Sequence, residues 1–234
     1  MRMRSQRGLG LVELMVGITI GLIVAAAASM VMVNQVTEHR RLMLNTQLQQ
    51  DLRAAADLVL SDLRRAGFWA APERMVWAPD ESVTANPYQT PGGCAASSSA
   101  TQLVYAYSNA SYGVPGGAPQ GANAQGDEYF GLRLSGKVLQ FMLGCTNGKA
   151  NWQPLTDDSV VAIDKLLIKP FVQTVELGAY CSKACPPGDN CPRMEVRRYD
   201  ITLVAHAAND ARVQRQLDIS VRQRNDAILG ACPA

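Results

Sequence analysis

From Leu14 to Val33 the chain runs twenty residues without a single charged side chain. At about 1.5 Å of rise per residue, a helix of that length reaches roughly 30 Å, the thickness of a bilayer's hydrocarbon core. Few structures accommodate such a run. It is too long for an ordinary secretory signal, and no small-residue cleavage site follows it. One glutamate, Glu13, stands at its very start. An ionisable group there costs on the order of 2–3 kcal/mol to insert and marks a functional position. Before it lies a basic leader with Arg2, Arg4 and Arg7, closed by Gly8.

Beyond the span the helical pattern continues. Leu44, Leu48, Leu52, Ala55, Val59 and Leu63 recur on one stripe, with Arg40, Gln47, Asp51, Arg53 and Asp57 among the polar residues between them. No proline interrupts residues 9–66, and Gly67 is a stop signal. The reading is one long helix over 9–66, with a transmembrane half (9–33) and an amphipathic half (34–66). A globular domain is expected to pack on the later stripe.

Residues 67–234 read as an exported, β-rich domain. Strand patterns fall at Gln102–Tyr107 and at Val160–Val172, where Pro170 confines the strand to an edge or an end. A hairpin is expected from Tyr129–Leu134 and Lys137–Leu143 through Ser135-Gly136. Glu195–Ala207 and Arg212–Arg224 alternate and should pair through Ala208-Asn209-Asp210-Ala211. Residues 70–125 are weakly patterned, and Gly113–Pro119 is loop. Roughly 165 residues beyond the helix suffice for a buried core. The class is α+β: a long N-terminal membrane-spanning helix on an antiparallel β-sheet head.

Six cysteines accompany only two histidines. The basic leader predicts an N-in orientation across the inner membrane, with the bulk of the chain in an oxidising periplasm. Disulfides are therefore expected of Cys94, Cys145, Cys181, Cys185, Cys191 and Cys232. Sequence alone does not choose the pairing. The cluster Cys181, Cys185, Cys191 suggests some local bridging, with the rest tied to distant segments. A zinc site lacks suitably spaced histidines, and no C-x-x-C pair is present.

Gly8-Leu9-Gly10-Leu11-Val12-Glu13 resembles the class III signal of type IV pilins and of type II secretion pseudopilins. That family prefers phenylalanine where this chain has Leu9, and threonine or serine where it has Gly10. The resemblance implies that a prepilin peptidase cuts after Gly8 and methylates the new amine of Leu9. It also implies that Glu13 neutralises such an amine on a neighbouring subunit during filament assembly. Asp62-Leu63-Arg64-Arg65-Ala66-Gly67-Phe68 is similar to the helix end of PilW-type minor pilins. Ile219–Asn225, with Arg224-Asn225, is similar to their last strand. The implied role is a minor pilin that primes type IV pilus assembly and sits at the tip, with other minor pilins and the major pilin as partners. The alternatives are a J-type pseudopilin of a type II secretion system, or a ligand-binding tip protein, either adhesin or DNA receptor.

Gly17, Gly21, Ala25 and Ser29 place a small residue at every fourth position, which would let helices pack closely, although small residues are common in membrane spans. Asp157-Asp158 and Asp189-Asn190 match no calcium loop and read as turn acids. Arg193, Arg197, Arg198, Arg212, Arg215, Arg222 and Arg224 are interleaved with Glu195, Asp200, Asp210 and Asp218. They read as a salt-bridged sheet face rather than a nucleic-acid groove. The net charge of +2 points the same way. There is no G-x-S-x-G, P-loop or H-E-x-x-H motif, so no enzyme, cofactor or metal is expected.

Overall fold

The computed structural model describes residues 10–70, 77–80, 86–89, 94, 97–109, 126–186 and 190–233. It divides into two compact units, Met1–Thr46 and Gln47–Ala234. Helix α1 (Leu11–Leu63) contributes to both. In the first unit it is long and apolar enough to cross a membrane, and residues 10–40 are exposed on every side. A helix apolar all round has no solvent face, so lipid or neighbouring helices must supply its surroundings.

In the second unit the same helix turns amphipathic. Leu48, Leu52, Ala55, Ala56, Val59 and Leu63 are buried, so the stripe read from the sequence is the one that packs. The α-helix closes at Leu63, three residues before the expected 66. Arg65 and Ala66 donate instead to the carbonyls three residues back, tightening the last turn. Gly67 then takes φ +74° and donates its N–H to Ala106 of the sheet at 2.8 Å. A side chain at Gly67 would meet Gln223 and Gln89 as well as the unfavourable φ.

Among the described residues, the expected antiparallel head is present as two four-stranded sheets. The first runs in the order β1 (Gln102–Ala106), β2 (Tyr129–Ser135), β3 (Val138–Thr146), β4 (Lys149–Pro154). The β2–β3 turn is Gly136-Lys137, one residue later than expected, with φ +61° at Gly136. The second sheet joins β5 (Val161–Glu176), β6 (Arg193–Ala207) and β7 (Asp210–Arg222), and β8 (Ala227–Leu229) continues along β6 beside residues Arg193–Glu195. The β6–β7 turn falls at Ala208-Asn209.

Strand β5 does not stop at Pro170 but runs six residues beyond it. It is an edge strand, and the N–H of Ile168 points away from β6, to Ala100. Pro170, two residues on, faces the same way, so its missing N–H costs no ladder bond. The N–H groups of Ile163 and Ile168 donate to Lys137 and Ala100, which ties the two sheets together.

The main core gathers the helix stripe with Leu103, Tyr105, Leu132 and Phe141 of the first sheet and Ile163, Leu166, Ile201, Leu203 and Val221 of the second. The first sheet is also covered on its other face. Trp69, Tyr88, Ala106, Tyr129 and Met142 form a second cluster there. Burial on both faces explains why β2 and β3 read as apolar runs rather than as alternation.

Candidate functional site

The N-terminal positions come first. Gly8 and Leu9 lie outside the described residues. Glu13 occupies the first turn of α1, which begins with the Leu14 N–H donating to Gly10 at 3.1 Å. A carboxylate in the first turn is favoured by the helix dipole. Glu13 is exposed, so it is open to a group outside the chain. Gly17, Gly21, Ala25 and Ser29 are exposed on the same helix, and a Cβ at either glycine would touch nothing within 4 Å. The Ser29 hydroxyl donates to the Ala25 carbonyl at 2.8 Å, so its polarity is satisfied within its own helix.

The head is clamped by three disulfides: Cys94–Cys145, Cys181–Cys232 and Cys185–Cys191. The local bridge within the clustered three is thus Cys185–Cys191, and the other pairs join distant segments. With all six cysteines paired, none is left to bind a metal. No cluster of metal-ligating side chains occurs among the described residues. The C-terminal segment crosses close to the Cys191 loop. Gly230 has φ +79°, and a Cβ there would run into the carbonyls of Asn190 and Cys191. The Ser182 hydroxyl donates to Asp80, and Trp77 packs edge-on against Tyr180, docking 77–80 on this loop.

Two buried polar anchors escaped the sequence reading. The Asp62 carboxylate accepts hydrogen bonds from Tyr105 at 2.5 Å and Tyr107 at 2.6 Å. Burial, and then the Asp62 charge, pushes the Tyr105 hydroxyl well above its ordinary value. Both tyrosines are therefore neutral donors. Glu128 is only 2% exposed and accepts from the Tyr88 hydroxyl at 2.8 Å and the Asn109 N–H at 3.1 Å. Nothing in local pattern announces these pairs, because their members lie some forty residues apart in three cases and on different elements.

The two head segments that carried the resemblance meet in space. The Arg224 N–H donates to the Arg64 carbonyl at 3.2 Å. The Asn225 amide donates to the Arg65 carbonyl at 3.3 Å and the Ala66 carbonyl at 3.1 Å. The chain leaving β7 thus caps the end of α1.

Most of the C-terminal arginines are matched to acids. Glu195 takes Arg197 at 2.9 Å and Arg193 at 3.4 Å, Arg198 pairs with Asp200, Arg212 with Asp210, and Arg222 with Asp226. Burial pushes the Glu195 carboxyl up, but hydrogen bonds and charge from Arg197 and then Arg193 outweigh it and hold the group below its ordinary value. Asp157 accepts from the Ser159 N–H at 2.9 Å, and the Ser159 hydroxyl, then this N–H, hold its carboxyl below the ordinary value. Asp189 lies outside the described residues, and Asn190 accepts from Arg193 at 3.3 Å. His206 sits 2.7 Å from Asp164 across the β5–β6 pair.

A family model described as "Prepilin peptidase-dependent protein B" matches residues 41–223, and one described as "Prokaryotic N-terminal methylation motif" matches residues 3–29. No curated protein and no solved structure matches the chain.

Proposed function

The chain belongs to the prepilin peptidase-dependent protein B family and is a type IV pilin-like protein, and on that premise we propose that it is a PilW-type minor pilin that primes pilus assembly. Prepilin peptidase cuts after Gly8 and the Leu9 amine is methylated. The protein stands N-in in the inner membrane with its head in the periplasm. Glu13 neutralises the amine of an adjacent subunit as the apolar helices bundle, and the face of Gly17, Gly21, Ala25 and Ser29 lets them approach. The starter complex of minor pilins then receives the major pilin, and this head ends at the tip.

The observation that carries the reading is a methylation motif and a prepilin-dependent family match on one chain, over 3–29 and 41–223. An exposed apolar helix long enough to cross a membrane in one unit and a disulfide-clamped β-rich head in the other support it. An electrostatic contact in low dielectric is strong enough to select one register of helices over another. The reading is structural rather than enzymatic. Mass spectrometry of the N-terminal peptide of the membrane-extracted protein tests it. The expected start is Leu9 with one added methyl group. An intact leader in cells with active prepilin peptidase would refute it.

A further inference from the structure

Arg64, Arg65 and Arg224 gather at one place on the head. No carboxylate forms an ion pair with any of them among the described residues. All three are exposed, and all three line one recess of about 520 Å³, with Phe68, Ser108 and Asn225 in its wall. Asp62, two residues before Arg64, has its two oxygens engaged by Tyr105 and Tyr107. Three like charges in one concavity repel one another, so the arrangement needs a reason.

The ordinary reason is capping of the helix C-terminus by cationic side chains. That role is already filled. The carbonyls of Leu60, Asp62, Leu63, Arg64 and Arg65 accept backbone N–H groups, Ala66 accepts from Asn225, and Gly67 accepts from Asn86. Arg65 has a partial alternative, since its guanidinium lies 4.2 Å over the Tyr107 ring. Arg64 and Arg224 have none among the described residues.

We propose that this recess docks a carboxylate-bearing segment of another pilin-type subunit, an inference that rests on the pilin reading above. Guanidinium forks match carboxylates in shape and charge, and three around one cavity can hold one or two acidic side chains. A nucleic-acid backbone would instead need a track of cations for successive phosphates. Beyond the recess, Arg193, Arg197, Arg198, Arg212 and Arg222 are neutralised by their own acids. The observations favour a compact acidic protein segment.

The test uses the full-length protein in mild detergent and fluorescence anisotropy with labelled tetraglutamate peptide, at about 0.15 M salt so that long-range attraction is screened. Labelled oligothymidine is the competing probe. Arg64→Gln with Arg224→Gln should weaken peptide binding roughly tenfold. Arg212→Gln, outside the recess, should leave it unchanged. Arg64→Lys with Arg224→Lys keeps the charge but not the bidentate fork, so its binding should fall between wild type and the glutamine variant. Absence of peptide binding by the wild type, or equal binding by the glutamine variant, overturns the proposal. So does oligothymidine bound more tightly than the peptide through the same arginines. Loss of binding in the lysine variant together with a lowered unfolding temperature would assign the arginines a packing role and overturn it too. The N-terminal mass of the same preparation separates the two readings. A methylated Leu9 start without peptide binding sinks only the docking site. Peptide binding on an unprocessed chain sinks the pilin reading and leaves an acid-binding recess.

Discussion

Replacing Asp62 by alanine removes the acceptor of two tyrosine hydroxyls at once. Tyr105 and Tyr107 are buried, 5% and 3% exposed, so water reaches their hydroxyls poorly once the carboxylate is gone. Each lost hydrogen bond to a charged acceptor is worth about 1.5–3 kcal/mol. Asp62 is itself only part-buried, so some of that is returned when its desolvation is relieved. The net expectation is about 3 kcal/mol of head stability. Tyr107→Phe alone, which leaves Asp62 its bond to Tyr105, should cost about 1–2 kcal/mol. Because both changes delete the same contact, their sum should exceed the double variant by about 1 kcal/mol or more. Urea titration of the full-length protein in detergent, followed by tryptophan fluorescence, reads this out. Trp69, Trp77 and Trp152 all lie in the Gln47–Ala234 unit, so the signal reports the head. With a slope of about 2 kcal/mol/M, the Asp62→Ala midpoint falls by about 1.5 M. A cost below about 1 kcal/mol, or strict additivity with Tyr107→Phe, would refute the assignment of Asp62 as the anchor between helix and sheet.

Cys181→Ser with Cys232→Ser opens a loop spanning 51 residues and should cost about 4 kcal/mol by loop-closure entropy, measurable as a drop in urea midpoint under oxidising conditions. A loss no larger than that of an exposed surface substitution would count against the bridge as a clamp. Glu195 has a lowered folded-state pKa, so its contribution is present above the ordinary carboxylate value near 4.5 and is lost as pH falls through the folded value. Glu195→Gln should therefore lower stability by about 1 kcal/mol at pH 7, with the gap to wild type closing in acid; a gap that widens in acid would reverse the sign. Glu13→Gln should leave cleavage after Gly8 intact while reducing recovery of the protein in sheared pili, checked by quantitative immunoblot. Normal incorporation would remove Glu13 from the assembly step.

The long helix was legible because its evidence is local. Twenty uncharged residues and a stripe at helical spacing constrain the backbone whatever packs on them, and Leu48 to Leu63 are buried as the period implies. The alternation of β6 was legible for the same reason, since Ile201, Leu203 and Ala205 turn to one core. Strand β4 was missed: its residues are mostly exposed or half-buried, so no apolar alternation marks it. Strand β8 is three residues long and exists by pairing with Arg193–Glu195, a partner more than thirty residues away.

By itself, then, the sequence determined the methylation motif, the apolar span and the helix stripe that is buried in the head. Tertiary structure decided which cysteines bond, that the strands divide into two sheets, and that Arg224 comes to lie against Arg64. The physical reason is range. Periodicity and hydropathy act on neighbours a few residues apart, so they are written along the chain. Disulfide choice, the Asp62–Tyr105–Tyr107 anchor and the arginine recess depend on contacts between residues brought together only after the core has closed, with Asn225 and Arg65 160 residues apart when they meet.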